Sequence, residues 1–275
     1  LTVFDDLQLP GAGPNFAPAQ TPHSILNIPL REVDIPPALS LPCGDFAKWQ
    51  AHRGHGDTER FPPRAELGAY LMARFRDLTR SSGVNIKVTA LKTKASRLDR
   101  ADAGWQIRAD DETFGPFDEV LLIPGQPLTP PDEQWARWIE HAEDTEACVI
   151  NAYPDRLLLA AAESWAGRKV GIRGLGLSTC DVMRFLTVGL GGRLKAGTYH
   201  PSGREPAMIY AFSLNGQPPF PKPADSTLDK KFDPTPEEVE QFEIAVQEAV
   251  AQEPDRALAP ICESLLPPVL RIGKA

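Results

Sequence analysis

The segment Lys169-Val170-Gly171-Ile172-Arg173-Gly174-Leu175-Gly176-Leu177-Ser178-Thr179 leaves the chain few folds to choose from. A short apolar run ends on one glycine, a second glycine follows two residues on, and helix-forming residues come directly behind. That order predicts a strand over Lys169–Arg173, a sharp turn, and a helix over Thr179–Val188. In such a unit one glycine permits the turn and the next lets phosphates approach the backbone. The helix N-terminus adds N–H groups and a partial positive charge. Thr179 takes the third place of G-x-G-x-x-G, where a small side chain still allows close helix–strand packing. Gly174 and Gly176 are therefore candidate nucleotide contacts, with Arg193 or Arg204 available to meet a 2′-phosphate and favour NADP over NAD. A purely structural strand-to-helix turn suits the same residues, and both readings stand at this point. Gly176-Leu177-Ser178 also matches part of the G-x-S-x-G nucleophile elbow. Cys180 holds the fifth place of that motif, however, and His200 alone follows as a histidine, before most of the downstream acids.

With 275 residues, the chain can form one large or two medium domains around a buried core. A net charge of −8 argues against general affinity for phosphate backbones, so no nucleic-acid partner is expected. The 28 prolines are about twice the usual share. They cluster at Pro36-Pro37, Pro62-Pro63, Pro130-Pro131, Pro218 to Pro223 and Pro267-Pro268. Each cluster fixes φ and removes donors, which predicts rigid connections between α/β elements. The four scattered cysteines predict reduced thiols and a cytoplasmic location. No apolar run is long enough to span a bilayer.

The remaining elements follow from periodicity. Thr2-Val3-Phe4 reads as a short strand ending in Asp5 and Asp6, Leu7 to Pro42 as loop, and Asp45 to Ala51 as one or two helical turns. Leu67, Tyr70, Leu71, Phe75 and Leu78 fall at helical spacing behind Pro62-Pro63. Val84–Leu91 and Trp105–Ala109 alternate like half-exposed strands, whereas Val120-Leu121-Leu122-Ile123 is continuously apolar, as a central strand buried on both faces would be. Helices are expected over Asp132–His141, where Trp135 and Trp138 read as packing residues, and over Asp155–Trp165, with another strand at Met208–Phe212. Thr235, Pro236 and Glu238 form a capping box that opens a last helix, with Val239, Phe242, Val246, Ala249 and Val250 on its inner face.

An acid at the tip of a strand near the start of a dinucleotide fold has a specific use, since it accepts hydrogen bonds from an adenosine ribose. Asp5 is the better candidate here, with Asp6 the alternative. Several stretches occur in an order that resembles the bacterial FAD/NAD(P)-binding protein family, related in fold to flavin-containing and N-hydroxylating monooxygenases. They are Val3-Phe4-Asp5, Gly11-Ala12-Gly13, His23 to Pro29, Phe61-Pro62-Pro63-Arg64 with Gly68-Ala69-Tyr70-Leu71, and Val120 to Gly125. The Gly174 turn with Ser178 and Asp181, and Pro201 to Pro206, continue the series. The resemblance covers the chain from Leu1 to about Pro223.

This resemblance implies an α/β fold of two dinucleotide-binding, Rossmann-like domains. Residues 1–125 correspond to an FAD-binding domain, 126–224 to an NAD(P)-binding domain, and 225–275 to a linker and helical segment packing on the core. Carried over residue by residue, Asp5 would hold the adenosine ribose, while Asn27, Arg64 and Tyr70 would line the FAD side. Gly125 would let the backbone pass near the cofactor, and Ser178 would join Gly174 and Gly176 in the second nucleotide turn. The family's opening strand and G-x-G-x-x-G loop are expected to lie outside this sequence, which begins at Leu1. A frequent alanine-threonine-glycine reads Ile123-Pro124-Gly125 here.

The implied activity is that of a flavin-dependent oxidoreductase using FAD and NAD(P)H, such as a monooxygenase, on an unassigned small-molecule substrate. The competing expectation is a non-catalytic dinucleotide-binding protein, a sensor or partner subunit. No general acid, base or nucleophile stands out, which agrees with chemistry carried by a cofactor. His52 and His55 lack further ligands for a metal. Arg64 suits either a phosphate or a structural salt bridge, and Ser202-Gly203-Arg204 either an anion contact or a structural turn.

Overall fold

The computed structural model describes residues 1–6, 9–33, 35, 42–80, 87–125, 129–219, 226–253 and 256–274. Residues 84–86 of the expected strand, Pro36-Pro37, and Pro221 and Pro223 lie outside the described residues. Contacts divide the chain into two compact units, Leu1–Pro219 and Phe220–Ala275.

In the first unit, β1 (Thr2–Phe4) pairs in parallel with β2 (Thr89–Leu91). The ring of Phe4 stands edge-on to Phe114 and Phe117, with centroids 5.3 and 6.4 Å away. Those two phenylalanines belong to an antiparallel meander of β3 (Ala95–Ala101), β4 (Gly104–Ala109) and β5 (Glu112–Phe117). Helix α1 (Phe46–Ala51) is capped by the Asp45 carboxylate, which accepts from Lys48 N, and it lies against α2 (Arg64–Arg80). Leu67 and Tyr70 of α2 fall on the helix face that the apolar spacing marks, and they close a core with Leu26, Leu30 and Phe46. Gly68 sits on the same helix because any Cβ there would lie 1.6 Å from the carbonyl oxygen of Phe16.

A second core forms around β6 (Lys169–Arg173), which pairs in parallel and in register with β9 (Met208–Phe212). Along β6, Val170 and Ile172 turn inward while Lys169, Gly171 and Arg173 are exposed, the two-residue period of a strand covered on one face. The covering layer is α4 (Asp155–Ala162) and α5 (Leu177–Leu186), whose Leu158, Ala162, Val182, Phe185 and Leu186 pack on Ile172. Helix α3 (Glu133–Glu143) precedes this layer, and β7 (Arg193–Lys195) and β8 (Thr198–His200) form a hairpin after it. The mixture of helices and strands is an α/β arrangement.

The second unit holds α6 (Ser226–Asp229), α7 (Pro236–Val250) and α8 (Leu258–Ile272). The expected capping box is present at Thr235 and Glu238.

Three expectations are corrected. Val120–Ile123 has no regular structure, and Leu121, Leu122 and Ile123 are 83%, 68% and 79% exposed. A doubly buried strand needs hydrogen-bonded neighbours and cover on each face, and among the described residues no strand pairs with this run. Helix α7, which packs on α8, buries Ala245 and Ala249, while Val239, Phe242 and Val250 are exposed. Pro267 and Pro268 lie inside α8 instead of connecting elements.

Candidate functional site

Strand β6 ends at Arg173, and Gly174 turns the chain with φ 119°. L-residues rarely adopt that backbone, so Gly174 is explained by conformation alone. Its N–H donates to Phe212 O at 2.7 Å, and its carbonyl accepts from the Thr179 hydroxyl at 2.8 Å. These bonds fasten the turn to β9 and to α5. Thr179 thus closes the turn that its place in the motif suggested.

Gly176 is different. Its φ of −75° suits any residue, and a Cβ built on it meets nothing within 4 Å. Neither backbone strain nor packing within the chain calls for glycine there. Gly176 is the N-cap of α5, and no side chain caps that helix. Bare backbone, open space and a helix N-terminus therefore coincide at Gly176.

One turn into α5 sits Asp181, 5% exposed. Its carboxylate accepts from Arg64 Nη2 at 2.7 Å and from the Tyr153 hydroxyl. Arg64, the first residue of α2, also donates through Nε to Ile25 O at 3.1 Å, and its guanidinium stands 5.9 Å from the Tyr153 ring centre. Burial, then the hydrogen bond to Asp181, push the Tyr153 hydroxyl up to about 12, so it stays a proton donor, although Arg64 and Ser178 act to lower it. Of the two roles open to Arg64, the structure shows the salt bridge. Thr21 N makes a parallel link, donating at 2.7 Å to Asp155, which is 4% exposed at the start of α4.

The other expected site residues are placed as follows. Asp5 comes directly after β1, at the carboxyl end of a parallel pair, with its N–H on Leu91 O at 3.0 Å. Asn27 is exposed, two residues past the Ile25 carbonyl that Arg64 grips. Tyr70 is fully buried among Phe46, Trp49 and Leu67, and its hydroxyl donates to Gly44 O at 2.9 Å, so it serves the core and presents no surface to a ligand. Gly125 has φ 67° and faces open space. Arg204 and Arg193 are exposed. The N–H groups of Ser202 and Gly203, on which an anion contact would depend, are taken by the Glu205 carboxylate at 2.7 and 2.9 Å. Of the expected site residues, Arg64 is thus joined through Asp181 to α5, the helix that carries Ser178.

Sequence reasoning had matched Asp181 to the family but given it no role, and had passed over Tyr153 and Asp155. A signal for Asp181 was present, because it falls in the apolar stripe of α5 with Val182, Phe185 and Leu186. A carboxylate facing a core needs a cationic or hydrogen-bonding partner.

A cleft of about 1150 Å³ flanks β6, bounded by Trp135 and Trp138 of α3, residues 146–152 and Arg173. Arg173 bonds Asp132 at 2.7 Å and lies 5.8 Å from the Trp138 ring centre, which in turn meets Phe212 edge-on. The cleft reaches the residue before Gly174 without including either glycine of the turn. The open ground in front of Gly176 lies outside this cleft.

Residues 1–127 match the model of a family described as FAD-NAD(P)-binding. The chain is 31% identical over 225 residues to nitrosuccinic acid synthase of Aspergillus oryzae, an alignment covering 76% of this chain and 34% of that protein. It is 27% identical over 254 residues to an L-aspartate N-monooxygenase (nitrosuccinate-forming) of Streptomyces davaonensis, covering 78% of this chain and 38% of the relative. The chain therefore spans little more than a third of the curated relatives it matches.

Proposed function

We propose that this chain is the nucleotide-binding part of a flavin-dependent N-monooxygenase that uses FAD and NAD(P)H to oxygenate the amino group of a small acidic amino acid. Two dinucleotide-binding parts make up the reading. Residues 1–125 face FAD, residues 126–224 face NAD(P)H, and residues 225–275 add a helical segment. The observation that carries it is Gly176, whose missing side chain nothing inside the fold requires. The family match over residues 1–127 and the names of both relatives support it.

In this reading Gly174 and Gly176 admit the NAD(P)H phosphates, and the N-terminus of α5 supplies their N–H donors. Asp5 accepts from the adenosine ribose of FAD, with Asn27 and Gly125 at the edge of that ground. When bound, FAD activates oxygen at the expense of NAD(P)H, so that amine, O₂, NAD(P)H and a proton give hydroxylamine, water and NAD(P)⁺. The protein's part is to bind, orient and keep bulk water from the reacting ends. A cytoplasmic location suits this reading, with all four cysteines unpaired.

The visible spectrum of the purified protein with FAD, read anaerobically before and after NADPH, tests the reading. We expect a bound yellow flavin that bleaches. A colourless protein without affinity for FAD overturns the proposal, as does bound flavin that NADPH leaves oxidised. In parallel, Gly176→Ala should lower the melting temperature by no more than about 4 °C, the ordinary cost of alanine at an N-cap, since no contact is made or lost. The same substitution should weaken NADPH binding about tenfold or more by placing a methyl group against the phosphates. Unchanged binding would remove Gly176 from the nucleotide turn.

A further inference from the structure

We infer that Asp181 is a positioning residue, one that fixes the angle between the FAD-side segment and the nucleotide turn by holding Arg64 and Tyr153. The inference rests on the function proposed above and assigns it a geometric control point.

The segment Thr21–Arg64 and the layer built from α4 and α5 meet through two nearly buried carboxylates. Asp155 takes Thr21 N, and Asp181 takes Arg64. The partners of the second link are 117 residues apart in sequence, so the bond joins separately formed pieces of the chain. Each end of it is anchored again. Arg64 is pinned to Ile25 O, and the Tyr153 hydroxyl donates to the same Asp181 carboxylate oxygen. A displacement of α5 would have to break bonds to Arg64 and Tyr153 together.

Stability alone does not account for this arrangement, because well-packed apolar side chains of similar size commonly serve as well as a buried ion pair. What a charged, bonded junction adds is direction. The guanidinium and the phenol each approach the carboxylate along a restricted path, which sets the rotation of α5, and hence of Gly176, relative to the start of α2. Two nucleotides held on either side must bring their reacting ends to near-contact, and an error of about 1 Å there costs on the order of 10²-fold in rate. Asp181 touches neither nucleotide in this scheme. It governs how one part faces the other.

The test uses the FAD-loaded protein with Asp181→Asn, which keeps the shape and removes the charge, and Tyr153→Phe, which leaves the Arg64–Asp181 pair in place. Three quantities are read: NADPH affinity by equilibrium dialysis, the anaerobic rate of flavin bleaching at saturating NADPH, and amide hydrogen exchange over residues 21–28. Asp181→Asn should hold the affinity within about threefold, because the turn is intact, while slowing bleaching by about thirtyfold or more. Exchange over residues 21–28 should quicken, and Tyr153→Phe should shift rate and exchange in the same direction by a smaller factor. That split between affinity and rate is one that general loosening of the fold would not produce. Bleaching rates within about twofold of the parent in a folded Asp181→Asn, or, should that variant not fold, an unaltered rate and exchange in Tyr153→Phe, overturn the inference. A parent protein that NADPH fails to bleach strikes the proposed function instead, so the two failures are told apart.

Discussion

At the scale of single residues, carboxylates organise the parts of this chain that apolar packing leaves loose. Glu205 is the clearest case. Burial presses its carboxyl upward, yet the N–H groups of Ser202 and Gly203 and the Tyr199 hydroxyl outweigh that and hold it at about 2. Tyr199 in turn is raised to about 12, by burial first and then by its bond to Glu205. Because the folded value of Glu205 lies below its ordinary one of 4.5, its stabilising contribution is complete above pH 4.5 and is lost as pH falls towards 2. Glu205→Gln should therefore lower stability at pH 7 by about 1 kcal/mol, after allowance for solvent screening, or roughly 2–4 °C in melting temperature. Thermal melts of the two proteins at pH 7, 5, 3 and 2 check this. The gap should stay constant from pH 7 to 5 and close by pH 2, and a gap independent of pH would show that the carboxylate charge is not what holds the turn.

Elements show the same logic in their glycines. Gly68 lies in the middle of α2, where alanine would ordinarily be preferred by about 1 kcal/mol. Against that gain stands a Cβ only 1.6 Å from the Phe16 carbonyl oxygen, a backbone atom with no rotamer to change. Overpacking costs about 1–3 kcal/mol or more, so the clash wins. Gly68→Ala should destabilise the protein by about 2 kcal/mol or more, a fall of roughly 4–8 °C seen in a calorimetric scan, and an equal or raised melting temperature would refute the packing given for α2. Elements with local signals were legible from sequence. The capping box of α7, the α2 stripe of Leu67 and Tyr70, and the strand, turn and helix from Lys169 to Leu186 depend on near neighbours and appear as expected. Tyr70 also shows the limit, since the spacing that marked it as core outweighed the role implied by resemblance. Val120–Ile123 failed for another reason, because an apolar run becomes a strand only where partners exist. Strand β3 is largely polar, and in β5 Gly115-Pro116 breaks the alternation that Phe114 and Phe117 would otherwise mark. The Arg64–Asp181 pair, 117 residues apart, is tertiary and had no local sign beyond the acid in the α5 stripe.

For the molecule as a whole, the two units differ in what holds them. Leu1–Pro219 contains both apolar cores, whereas in Phe220–Ala275 the buried residues among those described are Ala245 and Ala249. Their burial contributes little, at roughly 0.8 kcal/mol per methyl-sized group. The polar links in that unit are more numerous. Arg271 bonds both carboxylate oxygens of Glu238 at 2.9 and 2.8 Å and the carbonyls of Lys231 and Asp233 at 3.3 and 2.9 Å. Glu238 is held at about 2, first by Arg271 and then by its bond to Thr235 N. These side chains are partly buried at the surface of the unit, and ion pairs within reach of solvent add little to stability even when their geometry is good. A helix pair with so small a core falls below what a segment of this size needs to fold alone. The excised segment 220–275 should therefore lose helical circular dichroism gradually on heating, without a cooperative transition. Leu1–Pro219 alone should melt in a sharp step. A cooperative melt of the isolated helical segment would mean that the Arg271 and Glu238 bonds, not apolar burial, are sufficient to define it, and Arg271→Ala in the same segment would then abolish the transition.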